Sequence, residues 1–262
     1  MPTESPQVRC PGWAPPLLAL QFLTRIPVPG LAALRAEQVA TGLGRAVKWF
    51  PLVGTLIGAV TAAVFVGTGA IWPRRIAVVI ALIVEGRLTG AFHEDAVADF
   101  CDGFGGGRDA DHVRAIMKDS RIGSYGALGL VLAVGLRAAA IVGLDPGIAV
   151  AAIVASATFG RLLAVAAMAA IPPAAAGTGL AKDIGETIGV RDVALATLLA
   201  LPGLALLAVA RPLALLAAIA AAALFLLWFR RLLLRRIGGS TGDCLGFAAY
   251  AGQLILLLAA AA

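Results

Sequence analysis

Between His93 and Gly123 the chain gathers residues that could handle a charged phosphate. The run His93-Glu94-Asp95-Ala96-Val97-Ala98-Asp99-Phe100-Cys101-Asp102-Gly103 sets Asp95, Asp99 and Asp102 at i, i+4 and i+7. A helix through them carries all three carboxylates on one face. Three acids within two turns repel one another and weaken the helix that holds them. A bound cation relieves that repulsion. Oxygen-only ligands favour Mg²⁺ or Mn²⁺ over zinc, and Mg²⁺ typically bridges one or two carboxylates to substrate phosphates. Ala96, Val97, Ala98 and Phe100 make the opposite face apolar, which argues against a merely solvated acidic loop.

The residues that follow supply the other half of a diphosphate site. Gly103-Phe104-Gly105-Gly106-Gly107 lets backbone N–H groups approach phosphate oxygens, although a glycine run alone is more often a flexible turn. Arg114, Lys118 and Arg121, around Met117-Lys118-Asp119-Ser120-Arg121-Ile122-Gly123, can neutralise them. Near the C-terminus, Gly238-Gly239-Ser240-Thr241-Gly242-Asp243-Cys244-Leu245-Gly246 could present a helix N-terminus to an anion, with Ser240 and Thr241 as donors. A plain capping turn explains that segment equally well. Arg87, Arg137 and Arg161 fall within apolar stretches, which calls for buried anionic partners. Arg87 can pair with Glu85 or snorkel, whereas Arg137 and Arg161 lack a neighbouring acid and are expected to face substrate. His93 reads as a base, a ligand or a helix-end polar residue, the last being favoured, and His112 as a surface residue.

What must position these groups is a membrane. Of 262 residues, 60% are hydrophobic and 14% charged, with a mean hydropathy of +0.94. An ordinary soluble domain carries about 25% charged residues, so lipid must cover the excess apolar surface. Seven windows suit a span of roughly 20 apolar residues: 49–71, 75–92, 124–143, 148–171, 193–210, 212–229 and 245–262. Ala14–Phe22 is too short to span and suits an interfacial or re-entrant helix. The segments 1–48, 93–123, 172–192 and 230–244 hold 15 of the 21 Lys and Arg residues, against 3 in the intervening turns. Under the positive-inside rule the long segments, and the N-terminus, are cytoplasmic. The basic balance therefore marks loops rather than a nucleic-acid partner. Cys10, Cys101 and Cys244 form no CxxC spacing and suit reduced thiols. The expectation is an all-α, polytopic helix bundle of about seven transmembrane helices. It forms one domain over 1–262, with 1–48 interfacial and 93–123 carrying the acidic site.

Taken in order, these motifs resemble the cobalamin synthase (adenosylcobinamide-GDP ribazoletransferase) family over nearly the whole chain. The resemblance rests on Gln21-Phe22-Leu23-Thr24-Arg25-Ile26-Pro27-Val28-Pro29, Trp49-Phe50-Pro51-Leu52-Val53-Gly54 and His93-Glu94-Asp95 with Ala98-Asp99 and Asp102-Gly103. It continues through Ile116-Met117-Lys118-Asp119-Ser120-Arg121-Ile122-Gly123, Gly160-Arg161 and Gly238-Gly239-Ser240-Thr241-Gly242-Asp243. The family pattern usually has Gly in place of Ala96 and an acid near Gln253. The resemblance implies a multi-pass enzyme of the bacterial inner membrane with its site facing the cytoplasm. It would join adenosylcobinamide-GDP to α-ribazole, or its 5′-phosphate, and release GMP with Mg²⁺ as cofactor, alongside other enzymes of coenzyme B12 assembly. By this resemblance Asp95, Asp99 and Asp102 would hold the metal, with Asp119 or Asp243 as further candidate ligands. Lys118, Asp119, Ser120, Arg121, Arg161, Thr241 and Asp243 would contact substrate, and His93 or a carboxylate would take the hydroxyl proton.

Two rivals are weaker. A CDP-alcohol phosphotransferase would show an Ala-Arg pair after its first Asp-Gly and a longer gap to its later acids. A cation transporter would place its acids inside spans, where only Glu85 clearly falls.

Overall fold

The computed structural model describes residues 10–174 and 188–262, and among them no strand occurs. Arg9 and Lys182, two of the basic residues counted above, lie outside the described residues. Eleven α-helices are described: α1 (Ala14–Leu23), α2 (Ala36–Ala46), α3 (Phe50–Gly69), α4 (Arg74–Thr89), α5 (Phe92–Gly106), α6 (Ala110–Met117), α7 (Ser124–Gly143), α8 (Pro146–Ala170), α9 (Val190–Ala210), α10 (Pro212–Arg236) and α11 (Gly242–Ala261). Six stretches are long and apolar enough to cross a membrane: Ala36–Gly69, Ser124–Gly143, Pro146–Ala170, Val190–Ala210, Pro212–Arg236 and Gly242–Ala261. α4 and α5 pass that test only as a pair, bent by 90° at their junction. Six or seven spans result, as the hydropathy pattern predicts.

The ends of these helices follow from local chemistry. Pro51, Pro146 and Pro212 sit in the first turns of α3, α8 and α10, where a missing N–H costs nothing. The window expected at 75–92 stops at Thr89, because Gly90 turns left-handed (φ 72°) and closes α4. Ala91 is also left-handed (φ 56°) and starts α5 in the new direction. The N-terminal segment braces this corner. Arg25 donates its backbone N–H to the Leu88 carbonyl at 2.7 Å, and its guanidinium occupies the space where a side chain on Gly90 would go.

α8 forms the buried centre, packed by α3, α9 and α11. Small residues permit the close approach: Gly54 and Gly58 lie over Ala157 and Val154, and Gly160 meets Ala249 and Gly252. Outside this centre, Leu198, Leu206, Val209, Leu213 and Leu224 on α9 and α10 are exposed. Such an apolar surface suits lipid rather than water.

One expectation needs correction. The segment 230–244 is not a long loop, since α10 continues to Arg236 and leaves only residues 237–241 before α11. Its basic residues act as ties. Arg230 donates to the Ala170 carbonyl (3.0 Å) and Arg236 to that of Gly107 (2.9 Å), while Arg114 of α6 reaches the Ile237 carbonyl (3.1 Å). Cationic side chains thus satisfy carbonyls where α5, α8 and α10 end. The same contacts gather these ends, with the starts of α7 and α11, at one end of the bundle.

Candidate active site at the start of α5, α7 and α11

The three acids of α5 share a helix, but their surroundings differ along it. Asp95 is exposed, Asp99 half-buried and Asp102 buried. Asp102 accepts hydrogen bonds from the backbone N–H groups of Gly123 (2.7 Å) and Gly126 (2.8 Å), one to each carboxylate oxygen. It therefore caps α7 from a neighbouring helix, its charge set against the positive end of the α7 dipole. A side chain on Gly123 or Gly126 would run into that carboxylate, so the approach requires glycine at both positions.

Asp99 feels the charges of Asp95, Asp243 and Asp102 together, and Asp95 also acts on Asp243. α11 thus brings a fourth carboxylate to the acidic face. Among the described residues no group of three or more His, Cys, Asp or Glu closes into a cage for a metal ion. The donor set of mutually repelling carboxylate oxygens nonetheless suits Mg²⁺ in its usual mode, with one or two protein carboxylates and the remaining positions filled by substrate phosphate and water.

The basic segment lies between α6 and α7, and Asp102 ties its end to α5. Lys118 and Ser120 are exposed. Arg121 is gripped by Asp119, with Nε donating to Oδ1 at 3.0 Å and Nη2 to Oδ2 at 2.7 Å. That guanidinium holds the Asp119 carboxyl down at about 2. At the other helix start, Thr241 accepts from the Cys244 N–H at 3.3 Å and caps α11, and the Ser240 hydroxyl donates to the Ile171 carbonyl at 3.3 Å. Both hydroxyls serve the capping turn that the sequence allowed.

Two further groups sit beneath the acids. His93 is 3% exposed, with Nδ1 3.5 Å from Nη2 of Arg161. Arg161 is 1% exposed and also donates to the Ala157 carbonyl (3.3 Å), but among the described residues its Nε has no partner. Arg137, expected to face substrate, is instead paired with Glu85 at 2.7 Å, with Glu94 at 3.9 Å. Arg87 is exposed rather than paired with Glu85. Sequence reasoning missed this pair because 52 residues separate its members. The available signal was that Glu85 is the one acid clearly inside a span.

Of the two departures from the family pattern, Ala96 packs where a side chain on Gly246 would go. Gln253 is 1% exposed beside Gly160, and among the described residues its Oε1 has no partner.

Comparison with known proteins identifies the family. The cobalamin-5-phosphate synthase family matches residues 15–261. A Leptothrix cholodnii protein named adenosylcobinamide-GDP ribazoletransferase is 38% identical over 256 residues, covering 90% of this chain and 93% of the relative. One of the same name from Ralstonia nicotianae is 39% identical over 246 residues, covering 92% of each. Another from Shewanella amazonensis is 51% identical over 121 residues, 46% of this chain and 45% of its own. No solved structure matches. With its motifs in order along nearly its whole length, the chain belongs to the cobalamin-5-phosphate synthase family.

Proposed function

We propose that this protein joins adenosylcobinamide-GDP to α-ribazole or α-ribazole 5′-phosphate, giving adenosylcobalamin or its 5′-phosphate together with GMP. The observation that carries the reading is the meeting of Asp95 and Asp99 on α5 with Asp243 at the start of α11. In this reading a ribose hydroxyl of the acceptor attacks the phosphorus next to cobinamide. The bond from that phosphorus to the bridging oxygen breaks, and GMP leaves with the electron pair. Such transfers depend on positioning and charge neutralisation more than on covalent help from protein groups.

Asp95, Asp99 and Asp243 would hold Mg²⁺, which when bound neutralises diphosphate oxygens and favours the leaving group. Lys118 and Arg121, exposed on the adjoining segment, neutralise the outer oxygens. Asp102 fixes the start of α7, and with it the basic segment, against α5. Since His93 is turned to Arg161, a carboxylate of the acidic face is better placed to take the hydroxyl proton. The site faces the cytoplasm of the inner membrane, where guanine nucleotides are found. Lipid surrounds the helices, and other enzymes of the same assembly deliver and receive the substrates.

The direct test is Mg²⁺-dependent GMP release by the purified protein in liposomes given adenosylcobinamide-GDP and an α-ribazole acceptor. Asp95→Asn and Asp99→Asn should each lower turnover by orders of magnitude. Full activity in both variants, or release independent of divalent cation, would overturn the reading. Reporter fusions after Gly107 and Gly239 should report cytoplasm and one after Pro146 periplasm; a periplasmic signal at Gly107 would put the acids on the wrong side.

A further inference from the structure

We propose that Glu94 is a positioning residue: through Arg137 it holds the first turn of α5 against α7, and so keeps Asp95 and Asp99 turned toward Asp243. The inference rests on the reading above, because it gives Glu94 a part in the same reaction without contact with substrate.

α5 leaves α4 at a right angle, and packing alone does not fix that angle. A cavity of about 530 Å³ lies beside the corner between α4 and α7, and its lining includes Leu82, Gly86, Glu94, Val134, Arg137 and Tyr250. Where packing leaves this gap, charge bridges it. Nη2 of Arg137 donates to both oxygens of Glu85, at 2.9 and 2.7 Å, on the arm before the corner. Nη1 of the same side chain stands 3.9 Å from Oε1 of Glu94 on the arm after it. At that spacing the second tie is one of charge rather than a hydrogen bond. Arg137 is 2% exposed and the Glu94 side chain 21%, so water and salt screen the contact little. Charges about 4 Å apart attract far more strongly in such surroundings than in water.

α5 is pinned to α7 a second time at Asp102, whose carboxylate takes the N–H groups of Gly123 and Gly126. Between the pins the helices lie close. A side chain on Gly126 would meet the Ala98 carbonyl, and one on Gly129 would meet Cys101. Glu94, Ala98, Cys101 and Asp102 therefore mark the side of α5 that faces α7. Asp95 and Asp99 lie farther round the helix, where the charge of Asp243 acts on Asp99. Eight residues, about two turns, separate the pins. With both in place α5 can neither swing about the corner nor roll, and its two outer acids stay on the side of α11. Without Glu94 only the Asp102 end is held, and the end that carries Asp95 is free to shift. Glu85 and Glu94 divide the work of one arginine: the hydrogen-bonded pair holds the fold, and the looser contact sets the site.

Two measurements on the purified protein test this. In the first, spin labels on Asp95→Cys and Leu258→Cys, the latter exposed on α11, report the distance from the first turn of α5 to α11 by double electron–electron resonance, with Cys10, Cys101 and Cys244 changed to Ala. Glu94→Gln keeps the shape of the side chain and removes its charge. The distance distribution should broaden or shift in that variant and return in Glu94→Asp, which keeps the charge on a shorter stem. In the second, GMP release is measured on unlabelled protein. Glu94→Gln should lower kcat at least tenfold at saturating Mg²⁺, with the KM for the α-ribazole acceptor unchanged and the unfolding temperature within a few degrees of the wild type. Glu94→Asp should recover most of kcat. An unchanged distance distribution in Glu94→Gln, full kcat in that variant, or an unfolding shift as large as that of Glu85→Gln would overturn the assignment. A wild type that releases no GMP would instead overturn the proposed reaction, and the spin-label distances would still decide whether Glu94 holds α5.

Discussion

Two arginines lie buried in apolar helices a short distance apart, and their surroundings are opposite. Arg137 on α7 has Glu85 across from it at 2.7 Å, Glu94 at 3.9 Å and the Tyr250 ring 5.8 Å from its guanidinium carbon. Thr61 donates to the same Glu85 carboxylate at 2.9 Å. Arg161 on α8 has a carbonyl at 3.3 Å and an imidazole nitrogen at 3.5 Å, and among the described residues no acid within ion-pair distance. A charge inside a membrane helix is expensive unless something opposes it. At Arg137 the protein supplies the opposing charge and locks α4 to α7. At Arg161 no carboxylate comes within ion-pair distance among the described residues, and the charges of Glu85 and Glu94 act on it only from farther away. The type and burial of an intramembrane cation therefore say little about its role. Its partner decides.

Breaking the complete pair should have the largest effect on stability. Glu85→Gln leaves Arg137 buried with a much weaker partner, a change worth about 3–5 kcal/mol in buried pairs. We expect a large drop in the thermal unfolding temperature in detergent, partly recovered in Glu85→Gln/Arg137→Met. If Glu85→Gln unfolds like the wild type, the pair is not what holds α4 to α7.

The contrast between the arginines also marks how far the sequence can be read. Hydropathy found the spans because each is closed by a local signal such as Pro146, Pro212 or the Asp145-Pro146 turn. It did not reveal the right-angled corner at Gly90–Ala91, because an alanine at positive φ has no sequence signature and the corner is braced at Leu88 and Gly90 by Arg25 from another segment. The i, i+4, i+7 spacing placed Asp95, Asp99 and Asp102 on one helix. It could not show that Asp102 is spent on the start of α7, 21 and 24 residues later. The same distance in sequence separated Arg137 from Glu85. Local periodicity determines which residues share a face, and tertiary packing determines which of them stay free.

Asp102 sharpens the lesson at the acidic face. Asp102→Asn removes the charge at the α7 N-terminus and turns an NH₂ toward one of the two backbone donors. Stability should fall by about 1–3 kcal/mol, the scale of a buried donor left unsatisfied. Asp95→Asn, at the exposed end, should leave stability unchanged or slightly raised by easing repulsion, while turnover collapses. Chemical denaturation of both variants, read beside GMP release, separates the acid that builds from the acid that acts. Equal destabilisation would erase the distinction.

A smaller effect is expected from Arg161→Met. Because among the described residues no acid lies within ion-pair distance of this side chain, its loss strands no directly paired carboxylate, and the change in stability should stay within about 1 kcal/mol. An unfolding shift as large as that of Glu85→Gln would mean that both arginines belong to one structural network.

The smallest effect on stability should come from the exposed pair beside the site. Arg121 holds the Asp119 carboxyl at about 2, below the ordinary carboxylate value of 3.8. A carboxyl depressed on folding stabilises the protein above its unfolded value and loses that contribution as pH falls through the folded one. The window here is roughly pH 4 to 2, outside any assay range, and both partners stand in water where such pairs contribute little. Asp119→Asn should therefore leave the unfolding temperature at pH 7 and every inflection of the kcat/KM profile between pH 5 and 9 as in the wild type. What it should change is the freedom of Arg121. Released from its bidentate grip, the guanidinium is less well positioned for a diphosphate, and the KM for adenosylcobinamide-GDP should rise a few-fold with kcat held. A lost inflection in that pH range would identify Asp119 as a titrating participant in the chemistry and end its assignment as the holder of Arg121.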